Sequence, residues 1–121
     1  MKTSMPEVVK VHAEELICRF CQAKVPARLR GRYRLEFRTR GNAITLYESR
    51  PSRDPAVRQW IRTPAAQFRF EPAQRTWTVF WADRNGHWRM DDQMSPTPDV
   101  ADLLRDIYVD PSAVDLPRFN R

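Results

Sequence analysis

Apolar residues recur along this chain with two different periods, and the change from one to the other separates helices from strands. Over residues 7–24, Val9, Ala13, Leu16, Ile17, Phe20 and Ala23 fall at offsets of four, seven, eight, eleven and fourteen, which is one stripe of a helix. Pro6 stands where a first helical turn tolerates it, and Pro26 ends the segment. Over residues 32–40 the period becomes two. Tyr33, Leu35 and Phe37 share one parity, while Arg32, Arg34, Glu36, Arg38 and Arg40 take the other. Strict alternation marks a half-buried strand. Gly41-Asn42 is a two-residue turn signal, and residues 43–49 read as the returning strand. Pairing Arg40 with Ala43 sets Phe37 opposite Leu46 and Thr39 opposite Ile44, so the apolar faces of the two strands agree.

Residues 50–66 read as a connection with a short helix near 55–62. Asp54-Pro55 is a start signal, and Val57, Trp60 and Ile61 follow at helical spacing. Two further hairpins come next. Residues 67–71 turn at Pro72-Ala73-Gln74-Arg75 into 76–82, pairing Phe70 with Trp77 and Phe68 with Val79. Residues 83–86 then turn into 87–91, pairing Trp81 with Trp88 and Val79 with Met90. A last helix is expected over 98–109, with Thr97 as cap and Val100, Leu103, Leu104 and Ile107 as its apolar stripe. Asp110-Pro111 stops it and leaves an irregular tail over 110–121. The order predicts one α+β domain over 1–121: a five-stranded antiparallel sheet of hairpins spanning 30–91, with an N-terminal and a C-terminal helix packed on one face. The spatial order of strands between the hairpin blocks stays open.

Composition changes this picture mainly through arginine. The chain of 121 residues carries 21 Lys and Arg against 15 Asp and Glu, a net charge of +6, and 18 of its basic residues are Arg. The excess sits in residues 1–62, where 14 basic residues face six acids. Rigid, fork-shaped donors in such numbers raise the expectation of an anionic partner. The 41% hydrophobic content and thirteen aromatics support a core. No apolar run approaches the ~18–20 residues of a membrane span, and the first residues lack a secretory signal, so the expected compartment is the cytoplasm. There are no internal repeats or low-complexity tracts.

The parity of the arginines singles out one surface. Arg28, Arg30, Arg32, Arg34, Arg38 and Arg40 share it, and the hairpin registers add Tyr47, Arg69, Phe80 and Arg89, with Thr45, Thr76 and Thr78 between them. Guanidinium groups neutralise phosphates, while Tyr47 and Phe80 would stack bases, as on sheet-based readers of single strands. A solvated antiparallel face is polar for simpler reasons, and that alternative stands beside the first. Glu48 and Arg50 are different. The register points both toward the helix-covered side, near Tyr33 and Leu35, either as a tie between strand end and loop or as the lining of a small pocket.

Other candidate chemistry is thin. Cys18-x-x-Cys21 lies mid-helix, where no dipole lowers a thiol pKa, and only His12 and His87 remain to complete a four-ligand zinc set. Reduced structural thiols are the expectation, with no metal. The four tryptophans are expected to build the core. With three glycines and no Ser/His/Asp or Cys/His context, no catalytic group and no cofactor is expected. The stretch from Asp91 to Asp115 holds seven Asp and one Arg, a balance of −6, which either is solvated or screens the arginine face.

Trp77-x-x-x-Trp81, with Trp88 seven residues on, preceded by Phe68-Arg69-Phe70 and by Glu48-Ser49-Arg50-Pro51, resembles the bacterial domain-of-unknown-function 3024 family. The resemblance spans about Arg28 to Met90. It departs at Asn85, where an Asp is expected, and at Arg89, where a His is common. It implies a small bacterial intracellular protein and transfers no activity. The function expected is therefore a non-catalytic binding protein whose arginine face contacts RNA or DNA. The alternatives are a module binding an acidic protein surface and, third, an enzyme with a pocket near Glu48 and Arg50. Nothing in the chain indicates an oligomeric state.

Overall fold

The helical stripe folds as α1, Glu7–Lys24, burying Ala13, Ile17, Phe20 and Cys21. Val25, in extended conformation before Pro26, ends it. The computed structural model from which these elements are taken describes residues 4–110 and 118–120. Five strands follow: β1 Arg34–Arg40, β2 Ala43–Pro51, β3 Trp60–Glu71, β4 Thr76–Ala82 and β5 Trp88–Met90. They pair antiparallel in sequence order, a meander with β1 and β5 at its edges.

The β1–β2 register is the one the alternation predicts, with Phe37 opposite Leu46 and Arg40 opposite Ala43. Gly41 turns the chain at φ +59°, a conformation that a side chain would strain. The β3–β4 register also follows the pattern, with Phe70 opposite Trp77 and their rings 5.1 Å apart. One face of the sheet is closed by the helices. Ile44, Leu46, Phe68, Trp77 and Val79 are buried there with Ala13, Ile17, Phe20, Leu103 and Ile107. Each such large side chain contributes roughly 1.5–3 kcal/mol by leaving water.

Four expectations give way to tertiary context. No helix forms near 55–62. Residues from Trp60 onward instead extend β3 to twelve residues, because the long β2 offers backbone partners as far as Pro51. Arg30 and Arg32 do not enter a strand. A 3₁₀ turn at Ala27–Leu29 precedes them, and Leu29 O accepts from both Arg32 N and Tyr33 N, which buries Leu29 and Tyr33 and delays β1 to Arg34.

The last helix is short, α2 at Val100–Arg105, capped by Asp99 rather than Thr97. The Asp99 carboxylate accepts from Ala101 N at 3.0 Å. Thr97 is drawn into a bridge with Trp77 and donates its hydroxyl to Asp102 at 2.6 Å. Beyond α2, Tyr108–Asp110 (β6) pairs with Arg118–Asn120 (β7), so these parts of the tail are not irregular. The Ile-Tyr-Val run at 107–109 favours extended backbone over a longer helix. The rest of that tail, residues 111–117 and 121, lies outside the described residues.

Candidate functional site

The face of the sheet away from the helices is open. Apart from Ser49, its residues on β1–β4 are half-buried or exposed. Two one-residue decisions set what stands on it. The first is a bulge. Leu46 is opposite Ala66 but Tyr47 is opposite Pro64, so Ala65 is the extra residue of β3. An unbroken register would have placed Ile61 and Thr63 on the face that carries Arg69. The bulge reverses the parity and puts Trp60 and Arg62 there, opposite Pro51 and Ser49.

The second decision is the turn between β4 and β5. Asp83 N donates to His87 O, and the Asp83 carboxylate accepts from the backbone N–H groups of Asn85 and His87. The hydrogen bonds from the His87 N–H, Arg89 and the Asn85 N–H hold that carboxyl below its ordinary range. This loop takes one residue more than a turn at 83–86, with Gly86 at φ +79°. Ala82 therefore stands opposite Trp88, and Phe80 opposite Met90, in place of the Trp81–Trp88 and Val79–Met90 pairs that the pattern suggests. Trp88 and Met90 move onto the open face. Arg89 moves off it, opposite Trp81, with Nε 3.0 Å from Asp83 Oδ2.

The face that results carries Arg34, Arg38, Arg40, Arg62 and Arg69 against two carboxylates, Glu36 and Glu71. Three of the arginines lie on rings. Arg34 Cζ is 3.7 Å from the Trp60 centroid, Arg69 Cζ 3.6 Å from Phe80, and Arg62 Cζ 5.4 Å from Tyr47. At 3.6–3.7 Å Arg34 and Arg69 are in contact with their rings, which restrains both side chains, while Arg62 is within cation–π range only. Arg69 also donates to Gln67 Oε1 at 2.6 Å, and Gln67 Nε2 donates to Thr45. Glu36 is occupied by Ser49 at 3.2 Å and Arg62 at 3.7 Å. Arg38 and Arg40 are exposed, and no carboxylate among the described residues pairs with either.

Across the face runs a hollow of about 560 Å³, with Arg38 and Arg40 on its β1 side, Trp88 lining it from β5, and Thr45, Tyr47 and Gln67 between them. A second hollow of about 360 Å³, lined by Ala43, Arg69, Thr78 and Phe80, lies beside it. Trp60, Arg62 and Trp88 are the residues that sequence reasoning missed here. Two of the four tryptophans stand on the open face, while Trp77 is buried and Trp81 packs against the core. The alternation of Trp60, Arg62 and Pro64 carried the signal, but it competed with an equally good helical spacing.

The remaining candidates lie elsewhere. Arg30 and Arg32 sit in the turn before β1, where Arg30 and Arg34 line a separate recess of about 310 Å³ with Cys21 and Tyr33. Glu48 and Arg50 face the helix side. The buried Tyr33 hydroxyl donates to Glu48 Oε2 at 2.7 Å, and Arg50 Nη2 lies 3.3 Å from the same oxygen. Burial, then the Glu48 charge, push the Tyr33 phenol far above its ordinary pKa, so it stays a neutral donor. The trio ties the end of β2 to the segment leading into β1. Burial and the neighbouring Cys18 push the Cys21 thiol up to about 12, which keeps it from acting as a thiolate at neutral pH. Among the described residues no three His, Cys, Asp or Glu side chains gather as a metal site, and none of the helices is long and apolar enough to cross a membrane.

No curated protein and no solved structure matches the chain. The family model described as Domain of unknown function (DUF3024) matches residues 5–114, and the chain belongs to that family.

Proposed function

We propose that this member of a family without an assigned activity is a non-catalytic binding protein whose open sheet face contacts nucleic acid, RNA or DNA. One observation carries the reading. Five arginines and four aromatic rings (Trp60, Tyr47, Phe80, Trp88) share a face with two carboxylates among the described residues. Phosphates need fixed cations, and stacked guanidiniums are fixed cations at low cost in side-chain entropy. Bases need flat surface beside those cations, which the rings of a sheet face supply where no guanidinium among the described residues covers them, as at Trp88. Among the described residues of the second half, Asp83 is taken up by its own turn and by Arg89, and Asp102 is taken up by Thr97 and Arg105.

Fluorescence anisotropy with labelled 12-mer oligonucleotides across a salt series tests the reading. If all five arginines meet phosphates, affinity falls by about 100- to 500-fold between 50 and 200 mM salt, from slopes of roughly 0.7–0.9 per contact. Arg38→Glu combined with Arg40→Glu abolishes binding and leaves the melting temperature unchanged. Absence of binding at 50 mM salt, with a folded protein, rules the reading out.

A further inference from the structure

The four rings and five arginines of the open face are not equivalent, and the difference points to one place and one kind of ligand. Trp60, Tyr47 and Phe80 each carry a guanidinium. Among the described residues no guanidinium and no second ring lies on Trp88, and its side chain is half-exposed at the edge strand. Conversely, Arg34, Arg62 and Arg69 are committed to rings, while Arg38 and Arg40 are not. The uncommitted ring and the two uncommitted cations line the same hollow of about 560 Å³.

Resting on the nucleic-acid reading and narrowing it, we propose that this hollow seats one unstacked nucleotide of a single strand, its base against Trp88 and its two flanking phosphates on Arg38 and Arg40. The geometry supports each part. Arg38 and Arg40 are two residues apart on one side of a strand, so their Cα atoms are separated by about 6.8 Å, twice a rise of ~3.4 Å. That is close to one sugar-phosphate repeat of an extended chain, and it directs the backbone along β1 with bases turned across the sheet. The volume lies within the roughly 300–1,000 Å³ of small-ligand sites. The Thr45 hydroxyl and the Gln67 amide in the hollow give a base edge polar groups to meet. Glu36, next on the same side of β1 and turned to Ser49 and Arg62, separates this pair of cations from Arg34. A duplex cannot use the seat, because its bases are stacked on each other and closed to the indole.

The experiment compares four fluorescein-labelled probes in anisotropy titrations: an 8-mer deoxythymidine strand, an 8-mer uridine strand, an 8-base-pair duplex, and an 8-mer abasic strand with the same phosphates. Both base-bearing single strands bind more tightly than the abasic strand and the duplex, by about 5- to 150-fold, the range of one base–aromatic stack. Trp88→Leu removes that advantage and leaves the salt slope intact, while Trp88→Phe retains most of it. Arg38→Gln with Arg40→Gln lowers the slope by about 1.4, two contacts at roughly 0.7 each. Abasic and base-bearing strands bound equally well, or Trp88→Leu without effect in a protein of unchanged melting temperature, overturn the seat and leave the broader reading standing. No binding of any probe at 50 mM salt instead fails the nucleic-acid reading itself, and the seat with it.

Discussion

The two faces of the sheet are made by the same strands, residue by alternate residue, yet they are held in order by different forces. On the helix side Ile44, Leu46 and Phe68 are wholly buried, and their positions are set by contact on every side. On the open side Arg34 is held by its stack on Trp60, and Arg69 by its stack on Phe80 and one hydrogen bond to Gln67, each stack worth only about 0.5–1 kcal/mol where water has access. The first face cannot change without cost to the fold. The second can lose most of its side chains and leave the fold standing, which makes binding separable from stability.

The strongest challenge to that contrast is Phe68→Ala, on the closed face. It costs about 3–5 kcal/mol, read as a shift in the urea midpoint, because it empties a site that is fully enclosed. A cost under 1 kcal/mol would mean that the two faces are not so different. Glu48→Ala comes next, at about 1–3 kcal/mol, since it leaves the Tyr33 hydroxyl buried without its carboxylate acceptor. Glu48→Gln restores most of the loss if hydrogen bonding rather than charge is what Tyr33 needs.

Alkaline pH sharpens the comparison from another direction. The folded-state pKa of Cys21 is raised from 9.0 to about 12, so the fold favours the neutral thiol. That contribution is complete below pH 9 and is lost as pH rises from 9 toward 12, which amounts to about 1 kcal/mol by pH 10. Melting temperatures recorded from pH 7 to 10.5 decline above pH 9, and Cys21→Ala flattens the early part of the decline. Smallest of all is Trp60→Ala on the open face, which changes stability by about 0.5–1 kcal/mol, the worth of its stack with Arg34. A loss as large as that of Phe68→Ala would show the open face to be part of the core.

Much of the architecture was legible from periodicity alone. The α1 stripe, the strict alternation of β1, the Gly41-Asn42 turn and the Phe70–Trp77 pair all follow from residue order, because each is a local pattern whose two possible faces differ greatly in hydrophobicity. The orientation of Glu48 and Arg50 toward Tyr33 was legible for the same reason, since a register set by Phe37 and Leu46 fixes its neighbours. The open face was harder to read. Its polar and aromatic residues do not strongly prefer either side of a sheet, so the pattern there leaves register free.

Residue order by itself determined that this chain forms a helix-covered antiparallel sheet with arginines on its outer side. Only the tertiary structure decided which arginines and which rings meet. The bulge at Ala65 brought Trp60 and Arg62 to the open face, and the five-residue loop closed by Asp83 brought Trp88 there and took Arg89 away. Both are one-residue shifts. In a strand, a shift of one residue exchanges the two faces, and the energy that selects it comes from backbone hydrogen bonds and neighbouring strands rather than from the side chains it moves.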